Sequence, residues 1–358
     1  MKFKSFLTFT IGLLLAGTLI AGPREVLERP LMFGPQYPFI FTSTVFEPDT
    51  AFLLPNGELF FQTAYSVTNT WGYSVNAKRN ENGVYFTESV SDGYSLYFDG
   101  EIERRFVKVH YGFSKSIEFQ YAYREIRFTP GSLDVLVENF HDLINIGDAG
   151  RSRTETDKLE IYLYDNRNNQ VVAKLTQPTN DFHQESMQLG VKFLVKETAN
   201  EAISLSLASN FSDYYIERGS NEATSDAYLK KHEEFNDHNL TLRYTSIYPL
   251  WTLHVGFSIA FVKNTLLENS PEELYYFFVG TNWHLSENWD YLVQILEYSS
   301  PFPKDNTSSL NEDVRELSMG LRWFIGNQFA MEAGFVENQS QGPQNIDIMF
   351  FSGLMVNF

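Results

Sequence analysis

The sequence predicts an all-β protein: a closed antiparallel transmembrane β-barrel of about 12 strands (10 to 14), with one amphipathic helix in the long extracellular loop after strand three. Three observations support this prediction. The chain opens with the layout of an export signal, long stretches alternate between apolar and polar residues, and short connections alternate with long ones. Together they indicate an exported chain that crosses a membrane with strands.

The first residues, MKFKSFLTFTIGLLLAGTLIAGP, have three parts. Lys2 and Lys4 form a short positive region, residues 6–20 are apolar, and residues 21–22 are small. This order is typical of a secretory signal peptide, so we expect residues 1–21 to be cleaved on export. The alternative is a membrane anchor, but the apolar run is short for a span of about 20 residues, and no stop-transfer pattern follows it.

The composition excludes several classes of function. The chain has no cysteine, which rules out a lipoprotein anchor, disulfide bonds and thiolate metal sites. Removing the signal peptide takes away two lysines and no acidic residue, so the formal charge changes from −18 to −20. Because such an acidic surface would repel phosphates, we expect no nucleic-acid partner.

The alternation is clearest at residues 251–261, WTLHVGFSIAF. Trp251, Val255 and Phe257 fall on one face of a strand, and the opposite face is small or polar. In a membrane barrel the apolar face meets lipid and the polar face lines the lumen. Stretches of this kind give twelve candidate strands, at 57–69, 101–112, 115–128, 184–197, 202–213, 236–247, 251–262, 275–285, 289–299, 312–324, 328–337 and 346–358.

The connection lengths favour a membrane barrel over a β-sandwich. Short turns lie at 113–116, 198–201, 248–250, 286–288 and 325–327, and they alternate with longer links at 70–100, 129–183, 214–235, 263–274, 300–311 and 338–345. This ordering is typical of outer-membrane barrels, which have tight periplasmic turns and longer extracellular loops. Inside the link 129–183, residues 158–165 and 170–176 predict a hairpin that either extends above the membrane or joins the wall.

The last strand, residues 346–358, alternates and ends on Phe358. This pattern resembles the signal that the bacterial barrel-assembly machinery reads. We therefore expect residues 57–358 to form a barrel in the outer membrane of a Gram-negative bacterium, in contact with its lipids and lipopolysaccharide. The oligomeric state stays open.

Charged side chains fall on the inward face of several candidate strands. The candidate lumen charges are Arg104, Lys108, Glu118, Arg124, Lys192, Arg243, Arg322 and Glu332. Two interpretations stay open: a paired network that stiffens the lumen, which the mixed signs favour, or a charged path that selects solutes. No spacing of histidine, serine and carboxylate indicates catalysis, and none indicates a metal site. We therefore predict no enzyme and no cofactor.

Two further segments do not fit the wall. Residues 22–56 are rich in proline and aromatic residues, and they predict a periplasmic segment, a plug in the lumen or a loosely ordered tail. Residues 132–151, SLDVLVENFHDLINIGDAGR, have apolar residues at helical spacing. The apolar stripe of this helix could face the barrel mouth, other loops or outer-leaflet lipid. The mouth is favoured, which predicts a lid with Asp134, Glu138, Phe140, His141 and Arg151 as candidate contact residues.

A resemblance adds to this interpretation. The pattern around Gly34–Pro35, Pro38, Pro48 and Gly57, and above all the stretch GSLDVLVENFHDLINIGDAGR, resembles an uncharacterised family of proteobacterial outer-membrane proteins, domain of unknown function DUF3187. The positions that carry the loop motif are Gly131, Asp134, Glu138, Phe140, His141, Gly150 and Arg151. The resemblance implies an outer-membrane barrel and implies little about a substrate.

The sequence thus favours a channel or transporter for a small solute or a hydrophobic ligand, with the helical loop as a lid or plug. The alternative from another class is a structural or surface-interaction protein whose acidic loops meet the outside. A lipid-modifying enzyme is a third, weaker candidate. Conductance in planar bilayers separates the first class from the second.

Overall fold

The computed structural model describes residues 24–36, 46–80, 83–87, 93–131, 133–135, 137, 139, 157–179, 181–212, 215–216, 229–230, 235–262, 270–302, 309–339 and 348–358. The strands are β1 Leu59–Tyr73, β2 Ala77–Asn80, β3 Gly83–Phe86, β4 Tyr94–Ser114, β5 Ile117–Thr129, β6 Glu160–Asp165, β7 Gln170–Leu175, β8 His183–Glu197, β9 Glu201–Ser212, β10 Tyr215–Ile216, β11 Leu229–Lys230, β12 Phe235–Ile247, β13 Trp251–Phe261, β14 Glu273–Ser286, β15 Trp289–Tyr298, β16 Val314–Ile325, β17 Phe329–Asn338 and β18 Ile348–Asn357. Short 3₁₀ turns lie at Arg24–Leu27 and Ser309–Asn311.

Twelve of these strands close into an antiparallel barrel in the order β1-β18-β17-β16-β15-β14-β13-β12-β9-β8-β5-β4, and β4 pairs with β1 to complete the ring. The closing ladder runs without a break from Leu59 opposite Tyr111 to Tyr73 opposite Tyr97. Closure pairs the backbone groups of every wall strand and leaves no open edge. The predicted closed barrel of twelve strands is therefore confirmed.

The two faces of the wall differ as the alternation predicts. Large apolar side chains such as Phe257, Phe277 and Leu321 are exposed on the outside, while the residues between them are buried on the lumen side. Stacked indoles flank the short turns: Trp251 lies 6.1 Å from Trp283. Interfacial aromatic residues of this kind are typical of a belt at a membrane boundary.

The strand β4 continues beyond the ring on the side of the long links. Its residues Tyr94–Asp99 pair with β6, and the hairpin of β6 and β7 extends this edge. One face of the extension packs with Phe302 and Leu310. The other face, with Tyr97 and Tyr162, is covered by the hairpin of β2 and β3. The predicted hairpin therefore extends above the ring and does not join the wall.

The amphipathic helix of the long loop is not supported. Helical backbone is described only at Asp134, Val135, Val137 and Asn139, where the Val137 amide donates to the Leu133 carbonyl at 2.8 Å. No helix of the predicted length occurs in the described chain, and residues 140–156 lie outside it. Across the described ranges, no helix is long and apolar enough to cross a membrane.

Candidate functional site

The lumen contains the chain that precedes β1. Residues 24–36 and 46–56, called the inner segment here, contact inward-facing side chains at three levels. Near the short turns, Leu27 and Leu54 pack with Phe324. At mid-height, Phe33 lies 4.4 Å from Phe351, and towards the long links Phe46 stacks on Tyr276 at 5.2 Å. The inner segment thus runs up the lumen and returns before it enters the wall.

A cluster of buried charges joins the returning arm of the inner segment to the wall. The guanidinium of Arg29 lies 2.6 Å from a carboxylate oxygen of Asp49. The Lys192 ammonium lies 3.1 Å from Asp49 and 2.9 Å from Glu118, and His110 Nδ1 lies 2.7 Å from Glu118. All five residues are buried. Two of them come from the inner segment and three from β4, β5 and β8, so the cluster crosses the boundary between segment and wall.

Backbone carbonyls of the inner segment are also bound by the wall. Arg322 donates to the carbonyls of Leu27 at 3.1 Å and Arg29 at 2.7 Å, and it pairs with Glu332 at 2.8 Å. Asn282 donates to the same Arg29 carbonyl at 3.0 Å. Buried carbonyls need such donors because the inner segment forms no β-ladder of its own.

A second group of ion pairs involves the same wall strands as the first cluster, β4, β5 and β8. Lys108 and Arg124 contact Glu47 at 3.2 and 3.5 Å. Arg104 pairs with Glu185 at 3.0 Å. Arg104 also donates to the Gln36 side chain at 3.4 Å. Polar side chains on several strands therefore hold both arms of the inner segment.

All eight candidate lumen charges are buried on the inward face. Seven of them take part in the ion pairs described above. The exception is Arg243 of β12, whose Nη1 donates to the Ser206 hydroxyl and which pairs with no carboxylate among the residues that the structure describes.

Of the five candidate lid residues, the structure describes only Asp134. Asp134 is buried, and it accepts hydrogen bonds from Asn69 Nδ2 and the Asp157 amide, both at 2.8 Å. Asn69 and its neighbour Glu101 share the strand face of the exposed Tyr65, so this contact lies on the outer side of the wall. The remaining candidates Glu138, Phe140, His141 and Arg151 lie outside the described residues.

Sequence reasoning missed the charged residues of the inner segment. Arg29, Glu47 and Asp49 stand among prolines and aromatic residues, where isolated charges are usual at a surface. Their partners are far away in sequence: Lys192 follows Asp49 by 143 residues. One feature of the sequence could have indicated them: the inward-facing residues of β4 and β8 include more basic than acidic ones, so they require acidic partners from another part of the chain.

Two groups of side chains bring possible metal ligands together. Asp49, His110 and Glu118 have donor atoms within 4.8 Å of one another. The ammonium of Lys192 already contacts both carboxylates, so this group does not fit a metal ion. A second group, Glu28 with His284 and Asp290, lies near the short turns, and there His284 Nδ1 is 2.9 Å from Asp290.

One serine–histidine pair lies on the outer face of the wall. The Ser209 hydroxyl is 3.0 Å from His238 Nδ1, on neighbouring strands β9 and β12. Acyl transfer also needs donors for an oxyanion. The backbone groups around this pair belong to the ladders of the barrel, and no described residue bonds the second nitrogen of His238. Within the described ranges, the pair therefore has no other parts of a hydrolytic site around it.

A closed twelve-stranded barrel with an apolar outer surface is the fold of outer-membrane β-barrel proteins. The structure is similar to the COG4313 outer membrane channel from Pseudomonas putida F1, at 8% identity and a TM-score of 0.51, over 88% of this chain and 100% of that one. Lower similarity is found to the NanC porin, at 8% identity and a TM-score of 0.41, over 83% of this chain and 98% of that one. The toluene transporter TodX of P. putida has 11% identity and a TM-score of 0.39, over 85% of this chain and 89% of that one.

The chain belongs to the family described as protein of unknown function (DUF3187), which matches residues 24–358. The resemblance noted in the sequence is thereby confirmed. No curated protein matches the chain.

Proposed function

We propose that the protein is an outer-membrane channel for small polar solutes whose lumen is closed at rest by its inner segment. The observation that carries this proposal is the binding of the inner segment to inward-facing side chains of wall strands on opposite sides of the ring. The location follows from the same proposal: export through a cleaved signal peptide, residues 1–21, and assembly into the outer membrane of a Gram-negative bacterium through the strand that ends at Phe358.

The way the segment is held supports a removable plug. No described part of residues 24–36 or 46–56 contributes a strand to the barrel sheet. The contacts are single hydrogen bonds, ion pairs and side-chain packing, so the segment can leave while every ladder of the wall stays intact. The polar wall that it would expose suits water and hydrophilic solutes better than a hydrophobic ligand.

A disulfide lock tests the proposal. The hydroxyl oxygens of Thr50 and Thr245 are 3.2 Å apart across the boundary between segment and wall, and the chain has no cysteine that could compete. The variant Thr50→Cys/Thr245→Cys is reconstituted in planar bilayers in its oxidised and reduced forms. We expect channel openings only after reduction. Thr50→Cys alone serves as the control and is expected to be insensitive to oxidation.

The outcome that contradicts the proposal is equally specific. If the oxidised and reduced forms conduct alike, the inner segment is not the gate. If a folded barrel conducts in neither form, the protein is no channel. The lid role predicted for residues 131–151 is not needed for closure in this scheme, because the described start of that segment lies on the outer side of the wall.

A second candidate function is a surface-interaction protein. It is favoured by the extension of β4, which carries packed hairpins on the extracellular side of the ring. This candidate requires no conductance, so the same bilayer experiment separates the two. Among the residues that the structure describes, the serine–histidine pair on the outer face has no oxyanion donors, so it supports no enzymatic proposal.

A further inference from the structure

Arg243 lies in β12 on the inward face, between Ser204 of β9 and Gly256 of β13. Only 5% of its surface is exposed. One terminal nitrogen donates to the Ser206 hydroxyl, and its Nε has no acceptor among the described residues. Buried polar groups of folded proteins are nearly always hydrogen-bonded, so this donor indicates a partner that the described chain does not supply.

The charge of Arg243 leads to the same conclusion. The other five basic residues of the candidate lumen set each have a carboxylate within ion-pair distance. Three carboxylates, those of Glu47, Asp49 and Glu118, act on Arg243 only from longer range, and each already contacts another cation. A buried charge is costly unless it is paired. The stretch 37–45 of the chain contains no Asp or Glu that could supply the missing partner.

The surroundings of Arg243 suit an oxyanion. The hydroxyls of Ser204 and Ser206 lie on the inward face of β9 beside it. Those of Thr241 and Ser258 bond to each other at 2.8 Å, and Ser258 donates to the Leu240 carbonyl at 3.2 Å, so they are already engaged. The Ser204 hydroxyl is buried and has no hydrogen-bond partner in the described chain. A guanidinium presents a planar fork of donors that matches carboxylate and phosphate groups, and hydroxyls add donors beside it.

We propose that Arg243, together with the hydroxyls of Ser204 and Ser206, binds the carboxylate or phosphate group of an anionic solute in the lumen. The assignment rests on the proposed channel function, since it names the class of solute that the channel takes. It makes Arg243 a specificity-determining residue of the wall, while the paired charges hold the inner segment.

Binding is tested on the purified, detergent-solubilised barrel, without any need for conduction. Titrations with inorganic phosphate, acetate and glucose are followed by calorimetry. We expect one of the two anions to bind and glucose not to bind. Arg243→Gln should lose at least about tenfold in affinity, the equivalent of one charge-assisted hydrogen bond. Arg243→Lys, which keeps the charge, should lose less.

The matched control is Arg315→Gln, which removes the same charge from an exposed arginine paired with Glu297 on the outside. It should bind the anion as the wild type does. No binding of either anion, or equal binding by Arg243→Gln, overturns the proposal. If Arg243→Gln instead unfolds at a lower temperature while no anion binds, an internal carboxylate is its partner, and the site is structural.

The reduced Thr50→Cys/Thr245→Cys channel provides the second readout. Adding Arg243→Gln should shift its reversal potential in a KCl gradient towards cation selectivity, whereas Arg315→Gln should not. Failure of the channel function appears as absent conductance in the parent variant. Failure of the anion site appears as normal conductance with an unchanged reversal potential, so the two failures are distinguishable.

Discussion

If the inner segment closes the proposed channel, replacing Lys192 with methionine should open it. The Lys192 ammonium contacts Asp49 at 3.1 Å and the carbonyls of Thr50 and Phe52 at 3.3 and 3.0 Å, all on the inner segment. These contacts exist only when the segment is in place, while the contact with Glu118 belongs to the wall in either state. Methionine keeps the length of the side chain and removes the charge, which leaves the carboxylates of Asp49 and Glu118 facing each other with less compensation.

The size of the effect follows from this geometry. Removing one partner of a buried ion pair costs about 3–5 kcal/mol. If the substitution destabilises only the closed state, by the lower figure of about 3 kcal/mol, the ratio of open to closed channels rises about 100-fold, since each 1.4 kcal/mol is a factor of ten. Single-channel recording in planar bilayers measures this ratio as the open probability.

The control is Lys196→Met, which removes the same charge from an exposed position of the same strand. Its open probability should equal that of the wild type. Heat-modifiable migration on gels verifies that both barrels are folded. A folded Lys192→Met barrel with the open probability of Lys196→Met would refute the reasoning that the buried cluster holds the gate closed.

Three further predictions concern other parts of the molecule. Deleting residues 138–150 should leave the conductance unchanged, because the described start of this segment lies on the outer side of the wall. A higher conductance of the deletion variant would instead support the predicted role of residues 132–151 as a lid. Gly256→Ala should lower the unfolding temperature measured by heat-modifiable migration, because the added Cβ would lie 2.1 Å from the Phe278 ring. Such overpacking lowers the free energy of unfolding by about 1–3 kcal/mol. An unchanged unfolding temperature would contradict this packing. Burial alone would raise the pKa of Asp165, but hydrogen bonds from Arg167 and Asn168 lower it overall. The stability that Asp165 gives to the turn at 166–169 is therefore present above a pH of about 4, and it is lost as the pH falls through the lowered pKa of Asp165. Cleavage of that turn by pepsin should therefore increase with acidity in the wild type and not in Asp165→Asn.

The wall was predictable from the sequence because its cause is local. A strand that separates lipid from a lumen must alternate with a period of two, and the lengths of turns and loops are visible in the chain. The observed β13, Trp251–Phe261, differs from the prediction of 251–262 by one residue. The inward orientation of Arg322 and Glu332 followed from the same alternation.

Where a strand does not separate lipid from the lumen, the alternation of apolar and polar residues no longer predicts the structure. The extension Tyr94–Asp99 of β4 is buried on both faces, because Phe302 and Leu310 pack on one face and the hairpin of β2 and β3 covers the other. Its side chains therefore do not alternate between apolar and polar as those of the wall do, and it was assigned to a loop. The helix predicted at residues 132–151 rested mainly on the spacing of its apolar residues. Spacing does not state which surface buries the apolar stripe, and the described start contacts Asn69 and Glu101 on the outer side of the wall.

The sequence by itself determined the class of fold, the approximate number of strands and the face on which each wall residue lies, since the alternation depends on neighbours two residues apart. Only the tertiary structure decided that the lumen holds the chain before β1, and that Asp49 meets Lys192 there. It also decided that Arg243 is left without a described carboxylate. The physical reason is that closure of the ring can bring a buried charge to a partner that is more than a hundred residues away in the sequence, as Lys192 is from Asp49. A pattern of neighbouring residues does not predict such pairs.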